Sequence, residues 1–158
     1  MAEETHPFEP ELEQVFELQV RVDPPVLLGP VGGLERRIVP ILGGRVFGPR
    51  LNGEVMAGGA DWQAIRPNGV TQVLARYVIR AGDGTMISVV NAGVRRASEP
   101  VIRRLLAGEK VDPAQVYFRA APTFEVGDGP HAWLTENLFV SAGVRTPDAV
   151  AIRVYLVR

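Results

Sequence analysis

The sequence predicts a mainly β protein: an antiparallel up-and-down barrel of the lipocalin kind, with one short helix near residues 99–107. Several runs alternate apolar and polar side chains with period two, the mark of half-buried strands. Asp-Gly, Asn-Gly, Gly-Pro and Gly-Gly pairs punctuate the chain at short intervals, as strand-joining turns require. Only one stretch carries helical spacing together with capping signals. Eight to ten short strands with a single helix are best closed into a barrel, which hides sheet edges and creates an internal cavity.

In chain order, residues 1–11 place Pro7 and Pro10 among glutamates and read as an acidic flexible tail. Residues 12–158 then form one barrel domain, long enough to bury roughly 70% of the unfolded surface. From Glu13 to Val22, Phe16, Leu18, Val20 and Val22 alternate with Glu17, Gln19 and Arg21, and Pro24-Pro25 ends the strand. The stretch from Val26 to Val55 is broken by Gly-Pro, Gly-Gly and Asn-Gly and reads as short strands joined by turns.

Residues 71–79 and 86–94 form the clearest hairpin, with Asp83-Gly84 suited to a two-residue type I′ turn. In that register Gly82 faces Thr85 and Arg76 faces Asn91. Val73, Ala75, Tyr77, Ile79, Val90, Ala92 and Val94 then share one face, while Gln72, Leu74, Arg76, Asn91 and Arg95 share the other. The helix follows: Ser98 as N-cap, Pro100 in the first turn, Val101, Ile102, Leu105 and Leu106 as an apolar stripe, and Gly108 as the stop. Residues 116–124, 138–145 and 150–157 supply the remaining strands, the last two separated by Thr146-Pro147-Asp148.

Composition narrows the chemistry. The 158 residues include no Cys, two His (His6 and His131), three Ser, one Lys and 16 Arg. Thiol catalysis, disulfides and thiolate zinc sites are excluded, a three-histidine metal site cannot be built from one chain, and lysine-held cofactors have only Lys110. No metal and no cofactor are expected. The Gly29-Pro30-Val31-Gly32-Gly33 cluster lacks the spacing of a dinucleotide loop.

Residues 1–17 hold six Glu and no basic residue, so the remainder of the chain carries a charge of +5 although the whole chain carries −1. The arginines are dispersed from Arg21 to Arg158 rather than gathered in a stripe with aromatics, which argues against nucleic acid and for small anionic ligands such as carboxylates. No apolar run approaches the roughly 18 residues of a membrane span. The acidic N-terminus does not resemble an export signal, so a cytoplasmic location is the expectation.

Several residues could carry chemistry. Arg76 and Asn91, opposite one another in the register above, would bind a carboxylate or polarise a carbonyl if their face lines the barrel, and would meet only water if it is the outer face. Gln72 and Arg95 share that face. Asp61 follows Gly58-Gly59-Ala60 and precedes Trp62: beside that aromatic wall it would serve as a general acid or base, and otherwise it caps its own loop. Trp62 and Trp133 could stack on a flat ligand or fill core. Arg119 alternates with Phe118 and would face either the cavity or a structural partner. His131 reads as an exposed loop histidine or an acid–base group at the barrel mouth.

Five segments, in order, resemble a known family: Gly43-Gly44-Arg45-Val46-Phe47-Gly48-Pro49; Gly58-Gly59-Ala60-Asp61-Trp62; Ala75-Arg76-Tyr77 with Asp83-Gly84; Asn91-Ala92-Gly93-Val94-Arg95; and Tyr117-Phe118-Arg119 with Phe124-Glu125 and Trp133-Leu134. The chain is similar, from about Glu13 to Val157, to the domain of unknown function 3237, also called uncharacterised protein family 0311. The resemblance implies a small cytoplasmic β-barrel, usually a homo-oligomer, that binds or acts on small aromatic or polyketide-like metabolites inside the barrel.

This points to a cofactor-free enzyme of the isomerase or lyase type that moves a proton on a carbonyl compound. Asp61, Arg76 and Asn91 would be its catalytic groups, with Trp62, Gln72, Arg95, Arg119 and Trp133 around the substrate. The alternative is a non-catalytic binding protein. It is favoured by Leu74, which stands where the family's Asp-Ala-Arg-Tyr segment has an acid. Thr135 likewise replaces the Asn of the family's Trp-Leu-Asn.

Overall fold

The alternation at residues 13–22 becomes strand β1 (Leu12–Val22) in the computed structural model of the chain, which describes residues 8–158. Most of the expected acidic tail, His6 included, lies outside those residues. The part described is not free: Glu11 and Arg158 exchange backbone hydrogen bonds at 3.1 and 2.9 Å, so the chain joins the sheet by Glu11. Further strands are β2 (Val26–Val31), β3 (Leu34–Phe47), β4 (Gly53–Val55), β5 (Ala60–Ile65), β6 (Thr71–Ala81) and β7 (Met86–Arg96). Helix α1 (Glu99–Leu106) precedes β8 (Tyr117–Glu125), β9 (Leu138–Arg145) and β10 (Ala149–Val157).

These ten strands occupy eight positions around a closed antiparallel barrel. β4 and β5 follow one another in the gap between β3 and β6. β1 and β2 share the other side of β3, and β1 closes the ring by pairing with both β10 and β3. The expected up-and-down barrel with one helix is therefore the observed fold. Within it, β3 corrects the expectation of short strands and turns between residues 26 and 55. It runs for fourteen residues straight through Gly43-Gly44. A Cβ on Gly44 would stand 2.2 Å from the Gln19 carbonyl oxygen, so this glycine lets β1 pass close by rather than breaking the strand.

The β6–β7 hairpin also differs from expectation, by one residue. The Gly84 N–H donates to the Ala81 carbonyl and the Ala81 N–H to the Thr85 carbonyl, both at 2.8 Å. The loop is therefore Gly82-Asp83-Gly84, a three-residue connection with Gly84 at φ +89° in the left-handed region. Arg76 consequently faces Val90, while Asn91 faces Ala75 and Arg95 faces Thr71. The slip turns β7 over relative to the expected arrangement. Ile87, Val89, Asn91 and Arg95 are buried, and Val90, Ala92 and Val94 lie on the outer side.

The barrel is filled unevenly. At the end bearing the β6–β7 hairpin, Phe16, Leu51, Phe124, Leu134 and Phe139 pack with Trp133, with edge-on ring contacts at centroid distances of 5.1 to 6.0 Å. At the other end, α1 starts at Ser98 as expected, although the Ser98 side chain makes no capping bond. Val101 and Leu105 pack with Val111, and Ile102 sits over Gly69 in the β5–β6 turn. The helix and the segment after it thus lie across this second end.

Candidate functional site

Between the aromatic plug and α1, the inward side chains leave a cavity. Its walls are largely apolar, with Val20, Val39, Val73, Phe118 and Ile152 among them, and Asp61, Gln63, Tyr77, Asn91, Arg95 and Arg145 project polar groups into it. The space is small, about 50 Å3. One water occupies on the order of 10–15 Å3 by the same measure, so a small molecule or a few waters fit without rearrangement. Two of the polar groups come from strand ends: Arg95 is the penultimate residue of β7 and Arg145 the last of β9.

Strand β5 builds the acidic part. Asp61 and Gln63, two residues apart, face inward opposite Ala75 and Val73 of β6. Asp61 Oδ1 accepts from the Leu74 backbone N–H at 3.1 Å, and Oδ2 accepts from Gln63 Nε2 at 2.8 Å. The Gln63 carbonyl in turn accepts from Arg37 Nε at 2.6 Å. Burial pushes the Asp61 carboxyl above the usual range; the two hydrogen bonds and the charges of Arg95 and Arg145 oppose this without cancelling it.

The basic part is larger. Arg37, Arg95 and Arg145 stand within electrostatic reach of Asp61 and one another, and burial lowers the pKa of each, that of Arg95 to about 10. Three guanidinium groups thus share Asp61, with Asp148 also acting on Arg145. Arg95 is only 1% exposed, and its Nε and Nη2 have no hydrogen-bond partner. Asn91 makes only long contacts with Ser141, at 3.4 and 3.5 Å, so its amide is weakly committed. Tyr77 lines the wall, and burial raises its pKa.

Of the residues singled out by sequence, Asp61, Asn91 and Arg95 meet at this cavity. Arg76 and Gln72 do not: β6 turns Val73, Tyr77 and Ile79 inward, which leaves both on the exposed outer face, and the one-residue change of register separates them from Asn91 and Arg95. Trp62 alternates with Asp61 and Gln63, so it points outward and is 44% exposed, beside Leu74 rather than over a ligand. Arg119 is also outside, its guanidinium 5.7 Å from the Tyr117 ring, while its neighbour Phe118 takes the cavity wall. Trp133 belongs to the plug, packed on Phe139 with the Arg50 guanidinium 4.0 Å from its ring. His131 does not line the cavity and pairs instead with Asp83 of the hairpin loop at 2.9 Å.

Leu74 lies on the outer face with Arg76. An acid at position 74 would therefore stand outside the barrel, and its absence takes no carboxylate from the cavity. Sequence reasoning missed Gln63, Arg37, Arg145 and Phe118. Each had a signal: Gln63 is two residues from Asp61, Arg37 shares the phase of Val39 and Ile41, and Arg145 continues that of Phe139 and Ser141.

None of the described helices is long and apolar enough to cross a membrane. Comparison with known proteins agrees with the barrel. A UPF0311 protein of Rhodopseudomonas palustris is 40% identical over 147 residues, covering 93% of this chain and 96% of the relative. A crystal structure of a conserved protein of unknown function from the same species superposes with a TM-score of 0.90 at 39% identity, over 98% of this chain and all of that one. A structure described as an enzyme from Penicillium herquei shares the fold at a TM-score of 0.72 and 17% identity, with 98% of each chain covered. The model of the family described as "Protein of unknown function (DUF3237)" matches residues 10–157, and this chain belongs to that family.

Proposed function

We propose that the barrel cavity binds a small carbonyl compound and catalyses proton transfer on it without a cofactor, by isomerisation, cyclisation or elimination. The observation that carries this reading is the convergence of one partly buried carboxylate, Asp61, with the Asn91 amide and the Arg95 guanidinium on an otherwise apolar cavity. Asp61 takes a proton from carbon next to the carbonyl. The electron pair of that C–H bond becomes the C=C bond of an enolate as the C=O π pair moves to oxygen; the Asn91 amide donates to that oxygen and the positive charge of Arg95 stabilises it. Returning the proton to a different atom completes an isomerisation; loss of a leaving group completes an elimination. Arg95 takes the part that sequence reasoning gave to Arg76.

A carboxyl pKa raised by burial suits a group that must both accept and release a proton near neutral pH. The description of the distant Penicillium neighbour as an enzyme is consistent with catalysis on this fold. The non-catalytic reading has its own support: both Asp61 oxygens already accept hydrogen bonds, as in a carboxylate held for structure. Deuterium exchange separates the two. In heavy water, the protein should exchange α-hydrogens of small ketones and oxo acids, followed by NMR, and Asp61→Asn should abolish the exchange. Ligand binding with no exchange across the panel would make the protein a carrier.

A further inference from the structure

Arg95 Nε and Nη2 lie on the same edge of the guanidinium plane, where their N–H bonds run nearly parallel and match the two oxygens of one carboxylate. In this protein both atoms are buried and neither has a partner, although the residue is 1% exposed and lines the cavity. A buried charged donor left unsatisfied is costly, and native structures rarely keep one without a use for it. The nearby acceptors are engaged with other donors, and none partners Arg95 Nε or Nη2. Both Asp61 oxygens accept from Gln63 and the Leu74 backbone, and the Gln63 carbonyl accepts from Arg37. Charge points the same way, since Arg37, Arg95 and Arg145 outnumber the carboxylates near them, Asp61 and, beside Arg145, Asp148.

We infer that the ligand of this cavity carries a carboxylate, bound in bidentate fashion by the Nε–Nη2 edge of Arg95. This rests on the reading of the cavity as the functional site and adds the ligand's class. One such anion answers both orphaned donors and balances the one positive charge left in excess. Phe118, whose ring centroid lies 5.8 Å from the Arg95 guanidinium carbon, offers an apolar surface beside the carboxylate, suited to an aromatic or unsaturated acid. An inorganic phosphate would bring more charge and two further oxygens in need of hydrogen bonds, which the apolar walls do not answer.

Matched pairs of acid and neutral amide test this by calorimetry on the full chain: acetate with acetamide, benzoate with benzamide, cinnamate with cinnamamide. At least one acid should bind, and its amide should bind ten-fold or more weakly. Arg95→Met should weaken the acid by about 100-fold, as expected for losing charge-assisted hydrogen bonds, and Arg95→Lys by about 10-fold, because an ammonium keeps the charge without the parallel donors. Arg76→Met, on the outer face, should change nothing. Equal binding of acid and amide, unaltered affinity in Arg95→Met, or inorganic phosphate binding as well as the best acid would overturn the assignment. If no acid binds while a neutral ketone still undergoes Asp61-dependent exchange, the ligand class is wrong and the proton-transfer reading survives. If neither occurs, both fall.

Discussion

Gln63 bridges Arg37 and Asp61, accepting from the one at 2.6 Å and donating to the other at 2.8 Å. The side chain is 3% exposed, so water cannot readily replace it. Gln63→Leu should cost about 1–3 kcal/mol, the usual penalty for leaving buried polar groups unpaired, measurable by urea denaturation. It should also push the Asp61 carboxyl further up, because the lost hydrogen bond is one that lowers it. A carbon-detected NMR titration of Asp61 would show the direction; an unchanged midpoint would mean that the bridge does not control the acid.

Asp61 gives stability a particular pH dependence. Its folded pKa lies above the unfolded value, so the folded state holds the proton where the unfolded chain has released it. The resulting stabilisation is complete below the ordinary carboxylate pKa and is lost as pH rises through the folded one. The stability of the parent protein relative to Asp61→Asn should therefore increase on acidification from pH 7 toward about 4. A flat difference across that window would contradict the shift.

Asp83 behaves in the opposite sense. The Thr85 backbone N–H, at 3.0 Å from Oδ1, is the main cause holding this carboxylate down at about 2, with the Thr85 side chain and His131 adding to it. Its contribution is present above the unfolded pKa and fades as pH falls from about 4 to the folded value of about 2. Asp83→Asn should show a shallower loss of thermal stability than the parent between those limits. The same slope in both proteins would remove Asp83 from the acid response.

Gly44 sets the approach of β1 to β3. Gly44→Ala places a methyl against backbone that belongs to a paired strand and cannot step aside. The expected cost is about 2–3 kcal/mol, at the upper end for added core volume, read as a lower denaturation midpoint with an unchanged slope.

The barrel was legible from sequence because its strands announce themselves locally: β1, β9 and β10 alternate cleanly, and α1 carries its stripe and its stop. The hairpin register was not. Asp83-Gly84 fits a two-residue turn or the last two positions of a three-residue loop, and β7 has apolar side chains in both phases, Ile87 and Val89 inward and Val90, Ala92 and Val94 outward. Alternation cannot arbitrate between such phases; only the neighbouring strands can. The error propagated to the site: Arg76 and Gln72 were credited with a cavity that Asn91 and Arg95 reach without them. Arg37 and Arg145 escaped notice because a charged residue near a strand end ordinarily reads as solvated, and nothing local says that the rest of the fold will bury it.

The aromatic plug has a kinetic consequence. With Phe16, Phe124, Phe139 and their neighbours filling one end of the barrel, nothing passes straight through. Whatever enters past α1 must leave by the same route, so a spent molecule blocks the arrival of the next. For a catalyst, product inhibition would then be competitive with substrate, and turnover would be paced by clearance of that shared passage.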